Sequence, residues 1–252
     1  MDRRIEYPDN DVPLLTWWDG IYDHVFIALH PFFRIRKSDK EPGSSAAEYE
    51  PVAFPNSLPE GIDWDAIKLR GEPRSWKSVH MAVSSDVPDR QFQRAVWLLS
   101  CLGVTDHADR QLQEKIVEYC CKEQLFCPED DVVADCLSEP INRFLKQLGG
   151  NSVRVWDEFR HNAFDYPVSA FATDQPALFL PTADTRHSPY AIDLEDPGVL
   201  ITAGFDDSYS FIAMTQRAIS HARPEDFFEG HYADEHTYCD WLNPKSAFRR
   251  AQ

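Results

Sequence analysis

The chain has 252 residues, 43% of them hydrophobic, with 25 basic residues against 42 acidic residues and a formal net charge of −17. This composition is globular and excludes a disordered, collagen-like or coiled-coil chain. The negative charge argues against nucleic acid or an anionic membrane surface as the main partner, because both repel an acidic protein.

The sequence predicts neither a secretory signal nor a membrane-spanning segment. The N-terminal "MDRRIEYPDN" lacks the apolar stretch of a secretory signal. The longest apolar runs, "VFIAL" and "AVWLLSCLGV", are about half of what a membrane span needs. We therefore expect a soluble, cytoplasmic protein.

The cysteines support that expectation, because five of the six lie in one segment with a helical pattern. A secreted disulfide scaffold would be shorter, with its cysteines spread along the chain. We expect reduced, mostly buried thiols and no cofactor. A cysteine metal cluster is the alternative, although "CC" followed by a third cysteine does not match a zinc spacing. The five are Cys101, Cys120, Cys121, Cys127 and Cys136.

In chain order, the first predicted element is a buried strand at Val25 to Leu29, where the sequence is aromatic and β-branched. Residues 38–61 are rich in proline and lack periodicity, which predicts an irregular loop. Two helices follow. "PDRQFQRAVWLLSCLG" begins with Pro88 and stops at Gly103, and "DHADRQLQEKIVEYCCKEQ" has Thr105 as its predicted N-cap. "PINRFLKQLGG" is a third helix, with proline at its start and two glycines at its end.

After Gly150 the pattern changes to that of strands. "SVRVWDEF" and "PALFLPT" are predicted strands, and "GVLITAGFDDSYSFIAMT" predicts an antiparallel hairpin with an acidic turn. A run of helices followed by a run of strands indicates an α+β fold. We expect one domain over residues 1–252, with the helical middle segment packed on one face of a C-terminal antiparallel sheet.

The stretch "FFEGHYADEHTYCDWL" concentrates chemistry at residues 227–242. His231, His236 and Cys239 are spaced H-x4-H-x2-C, and imidazole and thiolate are good zinc ligands. With Glu158 or Glu235 as the base, residues 229–241 could form the site of a metal-assisted hydrolase. The alternative is an acidic segment without a metal, because this spacing matches no zinc motif.

The charge is also uneven. From Asp174 to Trp241 there are thirteen acidic residues and three arginines, a local net of 3 − 13 = −10. Aromatic residues next to carboxylates suit protein recognition, in which the carboxylates meet Lys or Arg of a basic partner. The alternative is that the charge only aids solubility. The predicted partner-binding residues are Asp206, Asp207, Tyr209, Glu229, Asp234 and Glu235.

A second polar group lies in "WDEFRHNAFD". Asp157, Glu158, His161 and Asp165 could supply an acid/base pair, or they could cap turns at the ends of strands. No nucleophile elbow, dinucleotide fingerprint, phosphate loop or H-E-x-x-H motif occurs anywhere in the chain. The common enzyme classes that depend on these motifs are therefore not indicated.

Four short motifs carry a resemblance to a known family: "ALHPFF", "VWDEF", "ITAGFDDSYSFI" and "FFEGHY". Together they resemble an uncharacterised bacterial domain-of-unknown-function family, number 2711, which implies no activity, substrate or catalytic residue. The C-terminal part is also similar in style to the ends of bacterial toxin-immunity proteins. We therefore expect an acidic cytoplasmic binding protein, such as an immunity-type inhibitor of a basic toxin. The metal-assisted hydrolase, with zinc, is the alternative.

Overall fold

A computed structural model describes residues 3–34, 71–100, 108–130, 132–172, 189–204 and 207–243. The loop predicted at 38–61, the N-cap predicted at Thr105, the strand predicted at "PALFLPT" and the turn residue Asp206 lie outside these residues.

Nine strands and six α-helices lie in the described part of the chain. The strands are β1 (His24–Leu29), β2 (Phe32–Arg34), β3 (Glu72–Arg74), β4 (Ser152–Trp156), β5 (Ala163–Pro167), β6 (Ala191–Leu194), β7 (Val199–Ala203), β8 (Tyr209–Met214) and β9 (Gly230–Tyr232). The helices are α1 (Leu14–Trp17), α2 (Trp76–Ser84), α3 (Asp89–Ser100), α4 (Arg110–Glu123), α5 (Ser138–Gln147) and α6 (Gln216–His221). Short 3-10 helices lie at Asp135–Leu137, Val168–Phe171 and Pro224–Asp226.

Seven of the strands form one antiparallel sheet in the order β5-β4-β6-β7-β8-β1-β9, and β2 pairs with β3 separately. The N-terminal strand β1 lies inside the large sheet, where Ile27 is opposite Phe211 of β8. The sheet is therefore built mostly, but not entirely, from the C-terminal part of the chain.

Both faces of this sheet are covered. Along β1, Val25, Ile27 and Leu29 belong to one core, and Phe26 and Ala28 belong to another. Helices α1 to α4 contribute to the first core, which we call the first layer, and α5 and α6 contribute to the second layer. The prediction that the helices pack on one face is wrong, because strands that are apolar on both sides need cover on both sides.

The fold class and several predicted elements are confirmed. The fold is α+β, and the predicted strand at 25–29 and the hairpin of β7 and β8 are present. The two middle helices are α3 and α4, and the N-cap of α4 is Asp109, whose side chain accepts a hydrogen bond from the Leu112 amide. Among the described helices, none has the length and apolar character to cross a membrane.

Gly230 provides a test of the pairing between β9 and β1. A Cβ at this position would lie 1.9 Å from the carbonyl oxygen of Ile27, so Gly230→Ala must push the two strands apart. We expect it to lower the free energy of unfolding by about 3 kcal/mol or more. The control is Gly20→Ala, where φ is +74° and nothing lies within 4 Å. Its cost should be about 1–2 kcal/mol, from backbone strain alone. Equal losses in urea unfolding would contradict the close approach of the two strands.

Candidate functional site

The acid-rich residues 227–242, here called the strap, connect the two layers around the β9 edge of the sheet. At one end, the Phe228 ring lies 5.4 Å from that of Phe144 in the second layer. At the other end, the Trp241 ring lies 5.6 Å from that of Tyr209 in the first layer. Strand β9 lies between these two contacts. The strap thus holds both layers against the sheet.

Glu229, predicted to contact a partner, is used inside the protein. Its two carboxylate oxygens accept hydrogen bonds from the backbone amides of Trp76, at 2.6 Å, and Lys77, at 2.8 Å. These are the first amides of α2, which have no partner within the helix and carry the positive end of the helix dipole. Glu229 therefore anchors α2 to the strap.

The three predicted zinc ligands are not brought together. Among the residues that the structure describes, no three His, Cys, Asp or Glu side chains could hold a metal ion. The His231 ring lies edge-on to Trp241 at 4.8 Å, whereas His236 is exposed beside Glu235. Cys239 is buried, with its thiol 2.8 Å from Oδ1 of Asn10.

The environments of these groups also oppose metal binding. Burial and the nearby Asp207 raise the pKa of Cys239 to about 12, so its thiol stays protonated. A zinc ligand must be a thiolate. At His231, desolvation and the positive charge of Arg90 lower the pKa, which keeps the imidazole neutral, but the same positive charge repels a metal cation.

Asp234 and Glu235 are at the surface, as predicted. The Asp234 carboxylate accepts hydrogen bonds from the His236 amide, at 2.9 Å, and the Thr237 hydroxyl, at 2.7 Å, which fixes a tight turn. Glu235 projects from this turn into solvent. The strap thus presents two carboxylates on a rigid turn.

Asp207 and Tyr209, also predicted to contact a partner, are buried with 8% and 1% of their surface exposed. Tyr7 donates its hydroxyl proton to the Asp207 carboxylate. Burial, with Asp207 next, raises the pKa of Tyr7 well above its usual value. The Tyr209 hydroxyl donates to the carbonyl of Cys239 at 2.7 Å. Neither side chain can meet a partner in this arrangement, and both hold the strap and the N-terminal segment to the sheet.

Gly204 makes the Tyr7–Asp207 contact possible. A Cβ at this position would lie 2.4 Å from both Oδ2 of Asp207 and Cζ of Tyr7. The two side chains therefore pack directly on the backbone where β7 ends.

His30 is a buried polar residue that the sequence analysis did not select. Its Nδ1 lies 2.7 Å from the Glu129 carbonyl oxygen, which can only accept, so Nδ1 carries the proton. Its Nε2 lies 2.7 Å from the Ser210 hydroxyl and accepts from it. This is the contact of a nucleophile with a base, but His30 and Ser210 are 0% and 1% exposed. The pair therefore joins the connection between β1 and β2 to strand β8 and is closed to a substrate.

The group predicted in "WDEFRHNAFD" caps a turn, as the second of its two interpretations predicted. The Asp157 carboxylate accepts from the backbone amides of His161, at 2.9 Å, and Asn162, at 3.1 Å. Glu158, His161 and Asp165 are exposed. The group therefore ends strand β4 and does not form an acid/base pair.

Arg160 completes this turn and was also missed. Its guanidinium donates to the carbonyls of Ile5, Asp157, Glu158 and Tyr190 and to the Thr202 hydroxyl. Its φ of 57° is in the left-handed region, and burial lowers its pKa to about 10. Nothing in the local sequence signals an arginine that binds oxygens of its own turn and of three distant segments.

Comparison with known proteins adds one finding. Residues 10–243 match the family model described as "Protein of unknown function (DUF2711)". No curated protein matches the chain, and no solved structure does.

The Glu229 contact predicts a stability effect. We expect Glu229→Ala to lower the free energy of unfolding by about 1–2 kcal/mol, because the first amides of α2 lose their acceptor. Glu229→Gln keeps an acceptor oxygen and should cost less. The control is Asp226→Asn, which changes an exposed carboxylate in the 3-10 helix just before the strap. Thermal unfolding of the three variants would measure this, and an unchanged Glu229→Ala variant would refute the anchor.

His30 predicts a pH effect. Burial lowers its pKa from 6.5 to about 4. Between pH 4 and pH 6.5 the unfolded chain binds a proton at His30 that the folded chain does not. The contribution of His30 to the free energy of unfolding is therefore fully present above pH 6.5 and is lost as the pH falls toward 4. The loss by pH 4 should be about 3 kcal/mol. His30→Gln should remove this component from urea unfolding measured across the range, whereas the exposed His221→Gln should keep it. An identical pH dependence in both variants would refute the assignment.

Proposed function

We propose that this protein, which belongs to the DUF2711 family of proteins of unknown function, is an acidic protein that binds a basic protein partner. An immunity-type inhibitor of a basic toxin is the form we propose, acting in the bacterial cytoplasm. The observation that carries the proposal is a group of exposed carboxylates on two adjoining rigid segments.

This group, the acidic face, consists of Asp9, Asp11, Asp234 and Glu235, all of which are exposed. The Leu14 amide donates to the Thr237 carbonyl at 2.8 Å, which brings the N-terminal loop to the strap. The Cys239 thiol donates to Asn10, which lies between the two N-terminal aspartates. The face is therefore fixed before a partner arrives.

A fixed group of like charges costs the protein some repulsion but attracts a cationic partner over several ångströms. Within a net charge of −17, it supports fast association that weakens as salt increases. The partner suited to this face presents Lys and Arg side chains. The metal-assisted hydrolase is not proposed, because His231, His236 and Cys239 do not meet.

The test compares two variants with the same change in charge. Asp11→Lys with Glu235→Lys reverses two exposed carboxylates of the acidic face and leaves in place Asp9 and Asp234, whose side chains accept the turn hydrogen bonds. Glu114→Lys with Glu118→Lys reverses two exposed carboxylates of α4. We expect a panel of purified basic toxin domains to include one that binds the wild-type protein. The first variant should lower its association rate about tenfold at low salt, and the second should have much less effect.

Two outcomes would refute the proposal. One is that no basic domain binds at low salt. The other is that both variants slow association equally, because the effect would then depend on the net charge of the protein and not on the position of the acidic face.

A further inference from the structure

Within the part of the chain that the structure describes, strand β5 forms the outer edge of the seven-stranded sheet, opposite the β9 edge, and four of its five residues are exposed. Hydrogen bonds at both ends of the hairpin fix which backbone groups face outward. Asp157 donates to Asn162 at 3.2 Å, and Val168 donates to Asn151 at 3.0 Å. By the alternation of an antiparallel pair, Ala163 and Asp165 turn their amides and carbonyls away from β4.

Large apolar side chains lie along this edge. Phe164 is 36% exposed and Phe159, in the turn before β5, is 65% exposed. The turn is rigid, because Asp157 caps it and Arg160 uses all five guanidinium hydrogens on surrounding oxygens. Arg160 is also held at a positive φ, a conformation with a steric cost for a side chain of this size. The protein thus holds an exposed phenylalanine in a fixed position beside an open strand edge.

Side chains of alternating charge lie next to one another across strands β6, β4 and β5. Asp193 lies opposite Arg154, and Arg154 lies opposite Asp165. Arg4 binds the buried Asp193 carboxylate through two hydrogen bonds of 3.0 and 2.9 Å, and Arg154 binds Asp165 at 3.2 Å. The row of alternating charges ends on the negative side chain of Asp165, which is 70% exposed.

We propose that β5 is a docking edge for an extended peptide segment of a partner protein, which adds an eighth strand to the sheet. Charge alternation selects a Lys or Arg opposite Asp165, and Phe164 on the other face selects apolar neighbours. A second copy of this chain is disfavoured as the occupant, because each copy carries a net charge of −17. Strands β5 and β9 are at opposite edges of the sheet, and the strap lies at the β9 edge. This inference therefore does not depend on the acidic face.

The probe is a capped ten-residue peptide of alternating valine and lysine. A lysine opposite Asp165 would exchange backbone hydrogen bonds with it, so the lysine amides point toward β5 and the valine amides point away. We expect binding to slow amide exchange at Ala163 and Asp165. N-methylation of the lysine residues should weaken binding by about tenfold or more, since several hydrogen bonds are lost. N-methylation of the valine residues, at the same charge, should leave it nearly unchanged.

Protein variants distinguish binding at the β5 edge from a general attraction of the cationic peptide to an acidic protein. Asp165→Lys should bind the valine–lysine peptide at least about tenfold less tightly and should bind a valine–glutamate peptide instead. Glu118→Lys is the control with the same change in charge. The Asp11→Lys, Glu235→Lys variant should bind the valine–lysine peptide much as the wild type does, so the two proposals fail independently.

Three results with the peptides would overturn the inference: equal binding of the two N-methylated peptides, slowed exchange at β9 in place of β5, or no binding. A dimer of the protein alone that Asp165→Pro abolishes would assign the edge to a second copy and would also overturn it.

Discussion

The pairing of β1 with β8 is the interaction on which the rest of the structure depends. Both strands are apolar on both faces, so their side chains remain exposed until helices cover the sheet from two directions. The first layer is supplied by α1 to α4 and the second by α5 and α6. Each polar group at the ends of these central strands must then find a partner inside the protein, because water is excluded from both faces. His30, Asp207 and Tyr209 each have an internal hydrogen-bond partner for that reason, and none of them is open to a ligand.

The strap shows how an acidic, ligand-rich sequence can be mostly structural. Its residues anchor α2, continue the sheet as β9, meet Asn10 and complete the first core, although about half of its polar side chains are exposed. A glutamate that accepts hydrogen bonds from two helix amides stabilises the fold, whereas a glutamate in an exposed turn leaves its charge available to a partner. Glu229 and Glu235 are six positions apart in one segment and fall into these two different classes. Composition alone does not distinguish them.

Much of the fold could be predicted from the sequence, because the strongest patterns are local. The strand at 25–29, the hairpin of β7 and β8, and helices α3 and α4 have clear apolar runs, caps and turn residues. The uninterrupted run "VFIAL" also contained the signal for cover on both faces, since a strand with one wet face would alternate. The roles of Glu229, His30 and Arg160 could not be predicted. Each binds groups that are distant in the sequence, and no local pattern records which backbone atoms a carboxylate, an imidazole or a guanidinium will meet.

The position of β1 in the middle of the sheet affects how the protein must form. Its neighbours on both sides, β8 and β9, come from the far end of the described chain, so no local partner can pair with it early. During synthesis on the ribosome, a strand with phenylalanine, isoleucine and leucine side chains leaves the exit tunnel long before either neighbour exists. Topologies with such distant contacts fold slowly and leave apolar edges open to association with other chains. A nascent chain of this protein would therefore be a natural substrate for chaperones that bind short apolar segments.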